Sequence, residues 1–173
     1  MKNSTRRLCI GGITGALYAA LTVILSPISF GAVQCRVSEA LCAVAFLVPE
    51  AAWGVFLGCA AANLLGGNIF DVIFGSLATL LACLSMARLG RGSHSTSRRL
   101  LACLMPVIFN AVTVGAVVTW GYEGLSIFAR PGIYALNALW IALGEAAAMY
   151  ALGLPLMYAA EKLLIKTEAP GSN

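Results

Sequence analysis

Long apolar stretches separated by short polar connections make up most of the 173-residue chain. Runs of roughly 18 or more apolar residues predict helices that cross a membrane. We predict such spans at about residues 8–28, 36–49, 51–66, 69–89, 100–121 and 133–160. The chain is therefore expected to be an all-α integral membrane protein, with residues 1–173 forming a single transmembrane domain whose first helix is retained.

The number of spans depends on how the stretch 39–66 is divided, because Pro49 and Glu50 interrupt it. The positive-inside rule distinguishes one kinked helix from two short ones. Two helices give six spans, with both termini and nine of the eleven Lys and Arg residues in the cytoplasm. One helix gives five spans, with four of these residues inside and seven outside. We therefore predict six spans. Helices of about 15 residues are only about 22 Å long, so the second and third should border a water-filled cavity or thinned lipid.

The composition supports a membrane protein. Apolar residues make up 60% of the chain, charged residues 10%, and the mean hydropathy is +0.89. These values exclude a soluble enzyme, a DNA-binding domain and a disordered linker, since a globular surface needs about 25% charged residues. The net charge of +4 comes from residues at the chain ends and in one loop, so we expect no nucleic-acid partner.

Motifs for metal, redox or nucleotide chemistry are absent from the sequence. The six cysteines form no CxxC pair, and we interpret them as small packing residues, without a disulfide or metal framework. The chain has no GxxxxGK[ST] loop, so energy for uphill transport would have to come from another subunit or an ion gradient.

Small residues in the first span recur at steps of four, at Gly12, Ala16 and Ala20. This spacing places them on one helical face that a second helix can approach closely. The second helix is either another helix of the same chain or part of a separate membrane subunit, and composition does not decide between them.

Glu145 is the clearest polar residue within a predicted span, and such residues usually have a function. On a helical wheel, Asn137 and Glu145 are about 80° apart on one broad face, and Trp140 lies about 60° to the other side of Asn137. Asn110 forms a similar polar position in the fifth span, four residues after Pro106. Glu145 and Asn110 are predicted either to contact a ligand or to join helices by hydrogen bonds.

Two further polar groups lie near the predicted outer surface. Asn68 and Asp71 precede the fourth span with the spacing of an N-cap and its third-position acid, so they either cap this helix or face the mouth of the bundle. Arg36 and Glu39 lie on the same side, where a salt bridge would contribute little if exposed. Together these groups predict a small-molecule pocket. No nucleophile–base set accompanies them, so we do not expect an enzyme.

The segments CRVSEAL at 35–41 and GGNIFDVIFGSLATLLA at 66–82 resemble the queuosine-precursor transporter family, QueT. That family belongs to the substrate-binding S components of energy-coupling factor (ECF) transporters. The resemblance implies six helices with cytoplasmic termini in a bacterial cell membrane. It also implies a membrane-embedded coupling subunit and two cytoplasmic ATPases as partners, with ATP used by those ATPases and no cofactor in this chain. Ala16 and Ala20 match the small-xxx-small helix that docks to the coupling subunit.

The resemblance implies a 7-deazaguanine as cargo, such as 7-aminomethyl-7-deazaguanine or queuine. A carboxylate can accept from the N1–H and amine of its guanine-type edge, an amide can donate to its carbonyl, and an indole can stack on its ring. The candidate contacts are Glu39, Asn68, Asp71, Asn110, Asn137, Trp140 and Glu145. The same inventory would serve another vitamin or purine-like heterocycle, and a ligand-free structural subunit is the remaining alternative.

Overall fold

Helices form nearly all of the computed structural model, which describes residues 2–30, 35–66 and 69–168. The helices are α1 (Lys2–Ile24), α2 (Val37–Leu47), α3 (Ala51–Gly66), α4 (Asp71–Gly90), α5 (Thr96–Tyr122) and α6 (Pro131–Ala148, continued by Met149–Gly153 and Leu154–Glu168). A short helical turn, Ser26–Ser29, follows α1. The described ranges contain no strand, so the predicted all-α class is confirmed.

Four of these helices, α1, α4, α5 and α6, are long and apolar enough to cross a membrane. The other two, α2 and α3, are shorter apolar helices on either side of the predicted break. Val48 has an extended backbone, with φ −126° and ψ 94°, because the ring of Pro49 disfavours a helical residue before it. The chain is thus a multi-pass membrane protein with separate helices at 37–47 and 51–66.

Glycines bring α1 and α3 into backbone contact. A methyl group added to Gly15 would lie 2.2 Å from the carbonyl oxygen of Gly54, and one added to Gly54 would lie 1.9 Å from that of Gly11. Both distances are far below van der Waals contact, so only glycine permits this approach. Gly11 and Gly15 lie beside the predicted small-residue face of α1 and are not part of it.

Three helices contain a wider π-helical turn: Asp71–Gly75 in α4, Val118–Tyr122 in α5 and Met149–Gly153 in α6. Such turns insert one residue into a regular helix and occur often at functional sites. Two of them provide polar side chains to the interior, as described below.

The end of the bundle that carries most of the arginines is closed by side-chain pairing between α5 and α6. Arg99 is buried, donates to Glu161 at 2.5 Å, and lies 4.3 Å from the ring centre of Tyr158. His94 also pairs with Glu161. This arginine-rich end contains the start of α1, the α2–α3 turn, the end of α4 and the start of α5. The polar interior therefore lies toward the opposite end.

Candidate functional site

Four ionisable side chains are buried in the half of the bundle away from the arginine-rich end. Arg36 and Glu145 are 3% exposed, and Glu39 and Asp71 are 0% exposed. The three carboxyl groups were predicted as ligand contacts, whereas Arg36 was considered only as the partner of Glu39 in a salt bridge. Arg36 is buried because the chain turns inward before α2, whose first turn, Val37–Cys42, is a 3-10 helix in contact with most other helices.

Glu39 is held by side chains from three other positions. Tyr18 of α1 donates its hydroxyl to Oε1, and Thr79 of α4 donates to the same oxygen at 3.1 Å. Cys42, one turn further along α2, donates to Oε2 at 3.1 Å. Both oxygens of Glu39 therefore have partners within the chain, and Glu39 joins α1, α2 and α4.

Asp71 lies in the π-turn of α4 and is bound from two sides. Tyr122, in the π-turn of α5, donates its hydroxyl to Oδ2 at 2.5 Å. Asn63 of α3 donates to the Asp71 carbonyl at 2.9 Å. Arg36 forms its ion pair with Asp71, not with Glu39, but Nη2 and Oδ1 are 4.0 Å apart. That distance is too long for a hydrogen bond, so these two atoms remain available.

The other groups around Arg36 hold its side chain in place. Its Nε donates to the carbonyl of Ser29 at 3.5 Å, and its guanidinium lies 5.5 Å from the ring centre of Phe30. These contacts fix the plane of the guanidinium, while Nη2 makes no hydrogen bond to the described residues.

Glu145 and Asn110 join α6 to α5. Asn110 donates from Nδ2 to Oε1 of Glu145 at 2.9 Å, which is the interhelical bond considered above. The second oxygen of Glu145, Oε2, has no hydrogen-bond partner in the described part of the chain. The helix around Glu145 contacts the first turn of α2, and Cys35 donates its thiol to the Gly144 carbonyl at 3.7 Å, so Glu145 lies beside the segment of Arg36 and Glu39. The two alternatives for Glu145 are therefore compatible, since each uses a different oxygen.

Several buried polar atoms in this region have no partner among the described residues. They are the acceptors Asp71 Oδ1, Asn63 Oδ1, Asn110 Oδ1 and Glu145 Oε2, the donor Arg36 Nη2, and the hydroxyl of Ser29. An unpaired buried polar group costs about 1–3 kcal/mol, so folded proteins rarely retain several without a ligand or water. The arrangement is suited to a polar molecule that offers several donors and at least one acceptor.

The remaining predicted contacts lie apart from this cluster or outside the described residues. Asn137 donates to Thr119 at 3.0 Å and to Glu123 at 3.1 Å. Trp140 is 44% exposed. Asn68 lies outside the described residues. The structure thus brings together Glu39, Asp71, Asn110 and Glu145, while Asn137 bonds to a neighbouring helix and its following loop.

Sequence reasoning missed four side chains that shape the site. Each of them bonds directly to Glu39 or Asp71, and they are Tyr18, Asn63, Thr79 and Tyr122. Tyr18, Asn63 and Thr79 are polar residues within apolar stretches of the sequence. That pattern could have indicated them, because such residues are costly in a membrane, and the structure shows all three fully buried.

The predicted docking face on α1 is exposed. Gly12, Ala16 and Ala20 are all exposed, and a methyl group added to Gly12 would meet nothing within 4 Å. With Ala61 of α3 and neighbouring small residues, Gly12 and Ala16 line a shallow apolar groove. The close contact within the chain is made by the adjacent glycines instead.

The described residues contain no group of three or more His, Cys, Asp or Glu side chains that could hold a metal ion. The six cysteines are free thiols, four of them buried. We therefore assign no residue to metal binding.

Comparison with known proteins identifies the family. A family model described as QueT transporter matches residues 8–162. A curated relative, the queuosine precursor transporter QueT of Lactococcus lactis subsp. cremoris (strain MG1363), is 40% identical over 82 residues, which cover 46% of this chain and 48% of the relative. The match thus spans about half the length of that relative. No solved structure matches significantly. The family consists of transporters and not of enzymes, in agreement with the absence of a nucleophile–base set. Since the family model covers most of the chain, the protein belongs to the QueT transporter family.

Proposed function

We propose that this chain is the substrate-binding S component of an ATP-driven ECF importer in a bacterial cell membrane, and that it captures a queuosine precursor for uptake. The observation that carries the proposal is the set of unpaired acceptor atoms around one buried arginine, in a chain of the QueT family. The curated relative is named as a queuosine precursor transporter.

The charges of the cluster favour a cationic ligand. One guanidinium, Arg36, is buried with three carboxyl groups, Glu39, Asp71 and Glu145. Buried charges that lack compensation are costly, so a ligand that brings positive charge or several donors stabilises the filled site. 7-Aminomethyl-7-deazaguanine meets this requirement through its ammonium group.

The donor and acceptor pattern also suits a deazaguanine. Its N1–H, exocyclic amine, pyrrole N–H and ammonium supply donors for the unpaired oxygens of Asp71, Asn63, Asn110 and Glu145. Its single ring carbonyl can accept from Nη2 of Arg36. The unpartnered atoms are one guanidinium donor, four acceptor oxygens and the hydroxyl of Ser29, so a ligand with one carbonyl and many donors pairs more of them than a carbonyl-rich ligand would.

The orientation follows from the distribution of charge. Nine of the eleven Lys and Arg residues lie at the chain termini or beside the 90s loop, and the positive-inside rule assigns that end to the cytoplasm. We infer six spans, with α2 and α3 both crossing and the ligand site toward the outer surface.

We infer that partner subunits supply the energy, because the sequence has no P-loop and the QueT family resembles the S components of ECF transporters. The exposed face with Gly12, Ala16 and Ala20 is our candidate surface for a coupling transmembrane subunit, since small residues let helices approach closely. Two cytoplasmic ATPases would complete the importer.

The test is binding to the purified protein. Calorimetry should show tight binding of 7-aminomethyl-7-deazaguanine and much weaker binding of guanine, which lacks the ammonium group. Mass spectrometry of small molecules released from the freshly purified protein should detect a deazaguanine. Equal affinity for the two ligands would contradict the charge argument, and an unrelated vitamin in the released fraction would contradict the proposed cargo.

A further inference from the structure

Two adjoining cavities open at the arginine-rich end of the bundle, beside the turn between α2 and α3. Their volumes are about 390 and 230 Å³, and both are walled by the Pro49–Glu50 turn and by Arg91 at the end of α4. Arg7 of α1 lines the first cavity and Arg88 of α4 lines the second. We call the pair the turn cavity.

The charge of the turn cavity is positive. Its walls contain three guanidinium groups and one carboxylate. Arg7 pairs with that carboxylate, Glu50, at 3.4 Å, and the ion pairs of the described residues include neither Arg88 nor Arg91. Both of these arginines are exposed. Two guanidinium groups are therefore available to an anion.

The turn cavity also contains an acceptor that needs a donor. Oε2 of Glu50 is buried and has no hydrogen-bond partner among the described residues. A molecule that fills the cavity can satisfy both kinds of group if it carries an anion for Arg88 and Arg91 and a hydroxyl for Glu50.

The residues around the turn cavity are typical of the membrane–water boundary. Trp53, in the first turn of α3, forms part of its wall and is 57% exposed. Tryptophan is enriched at the boundary because its ring is apolar and its N–H is polar. Leu84 lies in the same wall, so the charged part of the cavity borders an apolar surface.

We propose that the turn cavity binds the headgroup of an anionic phospholipid that carries hydroxyl groups, such as phosphatidylglycerol. Arg88 and Arg91 donate to the phosphate oxygens, a contact that arginine makes well because its donors match the spacing of phosphate oxygens. A headgroup hydroxyl donates to Oε2 of Glu50, and the acyl chains follow Trp53 and Leu84 into the bilayer. This site is separate from the polar cluster of the ligand site.

The experiment uses Trp53 as reporter, in full-length protein with Trp120→Phe and Trp140→Phe, reconstituted in phosphatidylcholine vesicles. Brominated phosphatidylglycerol and brominated phosphatidylcholine are compared as quenchers of its fluorescence. We expect at least about fivefold preference for the anionic lipid, since each basic side chain near the surface contributes about that factor. The double variant Arg88→Gln/Arg91→Gln should bring the ratio close to one, and Arg88→Lys/Arg91→Lys should keep most of it. Arg130→Gln, at the other end of the bundle, is the matched control and should change nothing.

Equal quenching by the two lipids in the protein with its native arginines would overturn the proposal. A preference for the anionic lipid that survives in the Arg88→Gln/Arg91→Gln variant would also overturn it. Millimolar inorganic phosphate should leave most of the preference intact. A complete loss at that concentration would show that the site binds the free anion in preference to the lipid, and the lipid assignment would be wrong.

Discussion

Replacing Glu145 by Gln separates its two contacts, because each oxygen of this carboxyl group has a different surrounding. Gln can still accept from Asn110, which donates to Oε1 at 2.9 Å. At the position of the unpaired Oε2, however, the variant presents an NH₂ donor where the native side chain has an acceptor. A ligand donor that pairs with Oε2 would then face another donor.

The expected effects on affinity and stability differ in sign. Loss of one partner of a buried charged contact costs about 2–5 kcal/mol, which is roughly 30-fold to several thousand-fold in affinity. The interhelical bond becomes a neutral one, a loss of about 1 kcal/mol, while the penalty for burying a charge, several kcal/mol per ion, is removed. The ligand-free Glu145→Gln protein should therefore melt no lower than the native protein.

Calorimetry with 7-aminomethyl-7-deazaguanine and thermal melting in detergent measure the two quantities. Asn110→Ala is the matched control, because it removes the interhelical bond and keeps the carboxylate, and it should lower the melting temperature. A Glu145→Gln protein that melts lower and binds with normal affinity would show that Glu145 only joins helices.

Three further predictions concern topology, docking and packing. A cysteine at Ser93, with Cys9 and Cys35 replaced by Ser, should resist an impermeant thiol reagent in intact cells and react after lysis, because the 90s loop is predicted to be cytoplasmic; labelling from outside would refute the six-span topology. Ala16→Trp should abolish uptake in cells and leave ligand binding by the purified protein unchanged, since Ala16 is exposed on the proposed docking face; normal uptake would show that this face does not dock. Gly15→Ala should lower the stability by about 1–3 kcal/mol, as overpacking does, because its methyl carbon would lie 2.2 Å from a carbonyl oxygen of α3. Gly12→Ala, which meets nothing within 4 Å, should be neutral or slightly stabilising in the same melting assay.

Much of the helix layout could be predicted because it depends on local chemistry. Proline disfavours a helical residue before it, and the break at Pro49 separates α2 from α3 as expected. Apolar length identified the four long helices in the same way. These properties depend on neighbouring residues only, so the sequence contains them directly.

The site was harder to predict because it depends on which helices meet. A helical wheel placed Asn137 on one face with Glu145, but it ignores height: eight residues separate Asn137 from Glu145, about 12 Å along the axis. Arg36 and Asp71 are 35 positions apart in the sequence and pair only because the start of α2 folds inward. Tyr122 reaches Asp71 because each lies in a π-turn, a feature that hydropathy does not reveal.

The π-turn in α6 makes chain length, and not only residue identity, a property of the ligand site. Met149–Gly153 lies between Glu145 and Met157, which is fully buried in the core. The wide turn absorbs one residue, so a regular α-helix over the same residues would rotate Glu145 by about 100° relative to Met157. Glu145 would then turn away from Asn110, although every side chain of the site would still be present. Deleting one residue from the turn would restore a regular helix and keep the orientation of Glu145, so related chains should tolerate such a deletion far better than one in a regular part of α6.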